Sequence, residues 1–236
     1  KLTTAKPLLS KKIYEQFNEA LKERNNKGLS AEITFIGINS ADIKEHNRSN
    51  NIFDNKKVYL EIGFGSGEHL AHKAERHKES KFIGCDYYLN GIASTVIKIS
   101  EKELSNVSLF NGDAIKLLNK IPNKSLYEVY LLYPDPWPKV RHLKRRFISD
   151  QNLRLLASKL IDGGALKVVT DSDIYFTHIK SVVLTQKISK IFSFKGSDFS
   201  QPWKDWYSTK YEEKAKKAGR RSYYMVLKKI IINSHI

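Results

Sequence analysis

From Val58 onward, short apolar runs alternate with longer stretches in which apolar residues recur every three or four positions. The runs Val58-Tyr-Leu-Glu-Ile62, Lys81-Phe-Ile-Gly-Cys85, Val107-Ser-Leu-Phe110, Tyr127-Glu-Val-Tyr-Leu-Leu132 and Ala165-Leu-Lys-Val-Val169 have the length and the β-branched and aromatic content of strands. The segments between them suit helices. From Arg146 to Leu160, for example, Phe147, Leu153, Leu156 and Leu160 fall on one side. Strand, helix and strand repeated in this way require crossover connections, which predicts an α/β domain with a mostly parallel sheet covered on both faces. Sheets of this kind bind their ligands beyond the carboxyl ends of the strands, so functional motifs are expected just after each run.

The first 56 residues differ in texture. Ile13, Tyr14, Phe17, Ala20 and Leu21 recur at helical spacing and predict a short amphipathic helix. Asn and Lys dominate from Lys44 to Lys57, as in a solvated linker. The expected organisation is an N-terminal extension over 1–56 and one catalytic domain over 57–236.

Charge changes the picture more than any other bulk property. The 236 residues carry 41 Lys+Arg against 25 Asp+Glu, a net charge of +16. A lysine-rich proteome would account for this, and so would a polyanionic partner drawn in by the positive field. Only the placement of the charge separates the two. No apolar run approaches the roughly 20 residues needed to cross a bilayer, and no secretory signal opens the chain. Lys1 in place of an initiator methionine admits a trimmed chain or part of a longer polypeptide. The single cysteine, Cys85, excludes an internal disulfide and cannot alone build a zinc site. A cytoplasmic protein without a metal is the expectation.

Directly after the first strand run comes Glu61-Ile62-Gly63-Phe64-Gly65-Ser66-Gly67-Glu68. Glycines there permit a tight turn and a close approach of bare backbone to a ligand. A dinucleotide fingerprint requires glycine at its sixth position, where Glu68 stands, which weakens a nicotinamide dehydrogenase. The pattern E-x-G-x-G-x-G instead resembles the first motif of class I methyltransferases. Glu61 would then face the ammonium group of S-adenosylmethionine. Asp86 closes the second strand about 20 residues further on, where an acid takes hydrogen bonds from ribose hydroxyls. Asp113, after the third strand, suits the exocyclic amine of adenine. Each acid alone has a bland alternative, and Asp113 also stands where a helix N-cap would. Three acids at three successive strand ends favour the cofactor, with Glu61, Gly63, Gly65, Gly67, Asp86 and Asp113 as its binding residues.

The fourth strand run leads into Tyr133-Pro134-Asp135-Pro136-Trp137-Pro138-Lys139, followed by a basic run to Arg146. Pro134, Pro136 and Pro138 stiffen this loop and remove three amide donors, so Asp135 and Trp137 are presented from a rigid support. Five of the eight residues from Lys139 to Arg146 are Lys or Arg. Such a run is commonly a solvated face, but beside a catalytic mouth and an aromatic it favours RNA, where cations place phosphates and rings stack on bases.

The stretch P-D-P-W-x-K-x-R-H-x-K-R-R resembles the signature of bacterial tRNA (guanine-N7)-methyltransferases, the TrmB-type family. Val169-Thr170-Asp171 and Ser208-Thr209-Lys210-Tyr211-Glu212 agree with it, and the resemblance runs from about Val58 to Leu227. It implies a Rossmann-like class I methyltransferase sheet of seven mostly parallel strands and methylation of a guanine in the tRNA variable loop. It also implies that Asp135 is catalytic and a fourth cofactor-site acid, and that Lys139, Asp171, Thr209, Lys210, Tyr211 and Glu212 bind the tRNA. Asp86 stands where glutamate is more usual, and Pro138 where some relatives have histidine. The family implies a monomer or homodimer with no obligatory second subunit. Trp137 is open to stacking on the base or to walling the pocket. The basic residues Lys214, Lys216, Lys217, Arg220 and Arg221 are open to phosphate contact or to pairing with Glu212 and Glu213. Another RNA as acceptor and a non-catalytic RNA-binding module are the alternative functions.

Overall fold

A computed structural model of the chain describes residues 56–194 and 199–231, together with the isolated positions Glu19, Lys22 and Phe53. The apolar stripe expected at Ile13–Leu21 and most of the Asn/Lys linker lie outside the described residues. Seven strands form one sheet in the order β3-β2-β1-β4-β5-β7-β6. Its strands are β1 (Val58–Ile62), β2 (Lys81–Asp86), β3 (Val107–Asn111), β4 (Leu126–Leu132), β5 (Leu160–Thr170), β6 (Phe192–Phe194) and β7 (Tyr223–Lys229). β1, β2 and β3 pair in parallel, as do β4 and β5, while β7 runs antiparallel to both β5 and β6. The mostly parallel seven-stranded fold expected from the sequence is therefore present. The contacts divide into two compact units, Lys1–Ala114 and Ile115–Ile236.

In the first unit every residue of β1 is buried, which is why its sequence lacks polar alternation. Helix α1 (Glu68–Arg76) starts at Gly67, whose left-handed φ of 74° ends the glycine loop. Helix α2 (Leu89–Glu101) buries Ile92, Val96 and Ile99, one stripe at helical spacing. Asn106 donates through Nδ2 to the carbonyls of Ala74, His77 and Ser80, so one buried amide ties the end of α1 to the start of β2.

The second unit contains α3 (Ala114–Lys120, beginning at the boundary), a 3-10 turn (Val140–Arg145), α4 (Asp150–Lys159), α5 (Asp173–Val183) and α6 (Lys210–Lys217). The helix expected to begin at Arg146 begins instead at Asp150. Ser149 sets that start, because its hydroxyl caps the helix by accepting from the Asn152 amide, and Arg146 is left extended. Leu160, expected on the same helix, is buried as the first residue of β5. Ser172 and Thr209 cap α5 and α6 in the same way. Among the described residues no helix is long and apolar enough to cross a membrane.

Candidate active site

The carboxyl ends of β1, β2 and β3 bring together the expected cofactor residues of the first unit. Gly63, Gly65 and Gly67 all have positive φ, of 74°, 56° and 74°, a region open to glycine and strained for other residues. The Gly63 amide donates to the Cys85 carbonyl at 2.7 Å, which moors the loop to β2. The Asp86 carboxylate fixes its shape: Oδ2 accepts from the Gly65 amide and Oδ1 from the Tyr88 amide, each at 2.8 Å. Two backbone donors hold this charge in one orientation at the end of β2, with lone pairs left for a ligand. Asp113 accepts from the Tyr87 hydroxyl at 3.1 Å, so adjacent strand ends are linked through an exposed tyrosine.

Glu61 is only 3% exposed, and its Oε2 lies 2.7 Å from His69 Nδ1 on α1. A Cβ on Gly67 would lie 2.3 Å from Thr95 Oγ1, and one on Gly91 would lie 2.2 Å from the Gly65 carbonyl oxygen. Close approach of α2 thus requires both glycines. A Cβ on Gly63 would meet nothing within 4 Å, so the backbone at that glycine borders open space. Pinned glycine amides, open space at Gly63 and acids at successive strand ends fit an adenosine carrying a charged amino-acid tail.

The second unit carries the expected acceptor residues. Asp135 is exposed in the loop after β4. Tyr133 and Trp137, on either side of it, are non-glycine residues with φ of 51° and 41°. Left-handed backbone at such residues costs of order 1–3 kcal/mol each and persists only where the surroundings impose it. The Tyr133 amide donates to Val169, its hydroxyl shares a hydrogen bond with Ser222, and its ring stacks on Tyr211 at 6.1 Å. Burial pushes the Tyr133 phenol well above its ordinary pKa. Trp137 meets His142 edge-on at 5.5 Å and carries the Arg145 guanidinium 4.8 Å from its ring centroid. Residues of its own loop therefore pack the indole, which supports the walling reading more than a free stacking surface.

Lys139, Arg141, Lys144 and Arg145 are exposed, as expected of phosphate contacts. Arg146 is not: it is 7% exposed and faces inward. Its inclusion among the phosphate-contacting residues is corrected, since a guanidinium packed inside cannot meet an RNA backbone.

Asp171 follows β5 and accepts from Arg220 Nε at 2.8 Å. Lys210 and Tyr211 are exposed, Tyr211 at 51%. Thr209 and Glu212 are 7% and 3% exposed. The Thr209 hydroxyl is spent on the α6 cap. Glu212 accepts from Trp206 Nε1 at 2.8 Å, from the Tyr224 hydroxyl at 2.7 Å and from Lys216 Nζ at 2.8 Å. Burial alone would raise its pKa; the hydrogen bonds from Lys216, Tyr224, Ser208 and Trp206 outweigh that and bring it to about 2. Both residues hold the segment in place rather than offering an open contact surface. Of the second basic cluster, Lys216 pairs with Glu212 and Arg220 with Asp171, while Lys214 and Arg221 lie over Tyr211 and Tyr223.

Comparison with known proteins decides the family. A model described as "Putative methyltransferase" matches residues 55–225. A tRNA (guanine-N(7)-)-methyltransferase from Jannaschia sp. is 38% identical over 188 residues, 80% of this chain and 76% of that protein. One from Roseobacter denitrificans is 40% identical over 174 residues, 74% of each chain. The chain belongs to the tRNA (guanine-N(7)-)-methyltransferase family. In structure it is similar to a 16S rRNA (adenine(1408)-N(1))-methyltransferase from Catenulisporales acidiphilia, solved with its cosubstrate SAM. The TM-score is 0.57 at 14% identity, covering 82% of this chain and 94% of that one. An antibiotic-related methyltransferase aligns with a TM-score of 0.54 and 18% identity, covering 81% of this chain and 94% of that one. At such identities these two speak for the fold alone.

Against the family's motifs, the sequence missed His69, Gly91 and Thr95. Gly91 was visible as a glycine inside a helical stretch, a position that commonly signals close packing. The partnership of His69 with Glu61 had a weaker signal, an acid and an imidazole eight positions apart on different elements. Among the described residues no group of His, Cys, Asp or Glu could hold a metal ion.

Proposed function

We propose that the protein transfers a methyl group from S-adenosylmethionine to N7 of a guanine in the variable loop of tRNA. The observation that carries the reading is the set of acids at the carboxyl ends of β1, β2 and β3, with Asp86 locked by two backbone amides beneath the glycine loop. The choice of tRNA guanine rests on the relatives named for it. Glu61, Gly63, Gly65, Gly67, Asp86 and Asp113 hold the cofactor, and Asp135 contributes to both cofactor and acceptor. S-adenosylmethionine supplies an electrophilic methyl group on a sulfonium.

The rest of the chemistry belongs to the protein's own groups. Guanine N7 carries an in-plane lone pair and no proton, so no general base is required. Alignment and electrostatics must supply the rate. Positive charge develops on the guanine during transfer, and a carboxylate accepting from its N1–H and N2–H both orients the ring and offsets that charge. Asp135, exposed on its stiff loop, takes this role. Asp171 is the second acid of the acceptor side, with one oxygen already bound by Arg220. Lys139, Arg141, Lys144 and Arg145, with Lys210 and Tyr211, hold phosphates and the flanking nucleotide, while Thr209 and Glu212 support that segment. Freeing the base from its tertiary contacts costs a few kcal/mol, offset by the phosphate contacts. The catalytic domain spans residues 57–236, and the protein acts in the cytoplasm as a monomer or homodimer without an obligatory second subunit.

The test is methylation of tRNA lacking the modification, followed by digestion to nucleosides. Label in 7-methylguanosine from a variable-loop fragment is the expected result. Label on another atom or another RNA would replace the acceptor, and cofactor binding without transfer to any RNA would leave only a binding module.

A further inference from the structure

Arg146 is the last residue of the basic run and the only one of its five cations that is buried. Its Nε donates to the Pro136 carbonyl at 2.8 Å and its Nη2 to the Trp137 carbonyl at 3.4 Å. The guanidinium lies 5.6 Å from the centroid of the Tyr175 ring. A cation taken out of water is unfavourable unless its hydrogen-bonding groups are used, so this placement is specified rather than incidental. What it binds is the backbone that most lacks donors. Pro134, Pro136 and Pro138 contribute carbonyls and no amides, and every buried carbonyl must still be satisfied. The planar fork of an arginine reaches two neighbouring carbonyls at once, which the point charge of a lysine does less well.

The seat of the guanidinium is itself anchored. The Ser172 hydroxyl caps α5 at the Tyr175 amide, and Tyr175 is fully buried. The Tyr175 hydroxyl accepts from the Ile148 amide at 3.2 Å, and His178 Nε2 lies 2.8 Å from the Ile148 carbonyl. His178 also stacks on Tyr175 at 5.8 Å. Both backbone groups of Ile148, two residues after Arg146, are thus tied to α5. The chain from α5 through Ile148 and Arg146 to the Pro136 and Trp137 carbonyls is continuous, and it ends on the strained turn that presents Asp135.

We propose that Arg146 is a positioning residue: seated on Tyr175, it clamps the 134–138 loop by its carbonyls and thereby fixes Asp135 against the acceptor base. The proposal rests on the acceptor role given to Asp135. It assigns Arg146 a part in the chemical step and none in phosphate binding, unlike its neighbours Arg141 and Lys144.

The experiment compares Arg146→Lys, Asp135→Asn and the double variant with wild type. The readouts are single-turnover methylation at saturating tRNA and S-adenosylmethionine, and tRNA affinity across a salt series. Arg146→Lys keeps the charge but loses the fork. It should lower the single-turnover rate by roughly 10-fold to 10²-fold, the scale of a small misplacement of reacting groups. Its tRNA affinity and salt slope should match wild type. In the Asp135→Asn background it should add little further loss, because the two residues act through one loop. A wild-type rate in Arg146→Lys, an additive loss in the double variant, or a weakened affinity with a flattened salt slope would each overturn the clamp. A wild-type rate in Asp135→Asn would instead remove the role of Asp135, whatever Arg146→Lys does. If Arg146→Lys fails to fold, Tyr175→Phe takes its place. It keeps the ring under the guanidinium and loses only the hydroxyl to Ile148, so the same slow rate with unchanged affinity supports the clamp and a wild-type rate refutes it.

Discussion

The two units of the molecule hold their functional acids in different ways. In residues 57–114 Asp86 is held by backbone, accepting from amides of its own turn and of the glycine loop 21 positions away. Glu61 and Asp113 each meet a side chain, His69 and Tyr87. In residues 115–231 the restraint comes from side chains. Asp171 is bound by Arg220, 49 positions away, and Glu212 by the rings of Trp206 and Tyr224 together with Lys216. On the proposed reading, a cofactor common to many enzymes meets a backbone-shaped loop, and an RNA acceptor meets a surface assembled from side chains. The first kind of site has a fixed spacing in sequence, and the second does not.

This contrast breaks most sharply at Asp135. Asp135→Asn keeps the shape of the side chain but turns an acceptor into a donor toward guanine N1–H and N2–H. The single-turnover rate should fall roughly 10²–10³-fold, the loss seen when one preorganised electrostatic contact is removed. Cofactor affinity should change far less, because Glu61, Asp86 and Asp113 stay in place. A large loss of cofactor affinity with an unchanged rate would move Asp135 to the cofactor side of the comparison.

Glu212 gives the next largest effect, on stability rather than rate. Its folded-state pKa of about 2 lies below the ordinary 4.5, so its stabilising contribution is present above pH 4.5 and is lost as pH falls toward 2. A shift of this size corresponds to about 3 kcal/mol at neutral pH. Glu212→Gln should be less stable than wild type in denaturant unfolding at pH 7, and the gap should close on acidification through that window. A gap that does not change with pH would mean that packing, not charge, is what Glu212 supplies.

A smaller change is expected on the cofactor side. Asp86→Ala removes the proposed ribose acceptor and also the anchor of the Gly65 and Tyr88 amides. Cofactor binding should weaken by roughly 1.5–3 kcal/mol, the value of hydrogen bonds to a charged group. Unchanged affinity in the folded variant, by titration calorimetry, would remove the ribose assignment. The smallest effect belongs to the exposed cations. Arg141→Ala and Lys144→Ala should each flatten the log–log dependence of tRNA affinity on salt by somewhat less than about one. An untouched slope would make the run a solvated face.

The same contrast explains what the sequence revealed. β1 was legible to the residue, because Val58, Tyr59, Leu60 and Ile62, interrupted only by the buried Glu61, form the near-continuous apolar run of a strand buried on both faces. The glycine loop and its acids were legible because tight turns and strand ends leave little choice of residue. Arg146 was misread because charge is visible in a sequence and the direction of a side chain is not. Thr209 and Glu212 belong to a motif, but burial turned the one into a cap and the other into the centre of a hydrogen-bond network. The start of α4 was misplaced because Phe147 fits the apolar period, while the deciding signal was the cap at Ser149. β6 and β7 went unpredicted because three residues at an edge, and a strand rich in Lys and Tyr, carry little period-2 pattern.

The central claim is that the acceptor atom attacks without surrendering a proton, so that the acceptor side aligns and stabilises charge and does not act as a base. The pH dependence of the wild-type single-turnover rate tests this directly, under conditions where chemistry and not product release is observed. The rate should decline only on the acid side, as carboxylates take up protons, and stay level from neutrality upward. A rate that rises with the ionisation of a group near pH 7 would contradict the account and point to an acceptor that must first be deprotonated, and so to a different methylated atom.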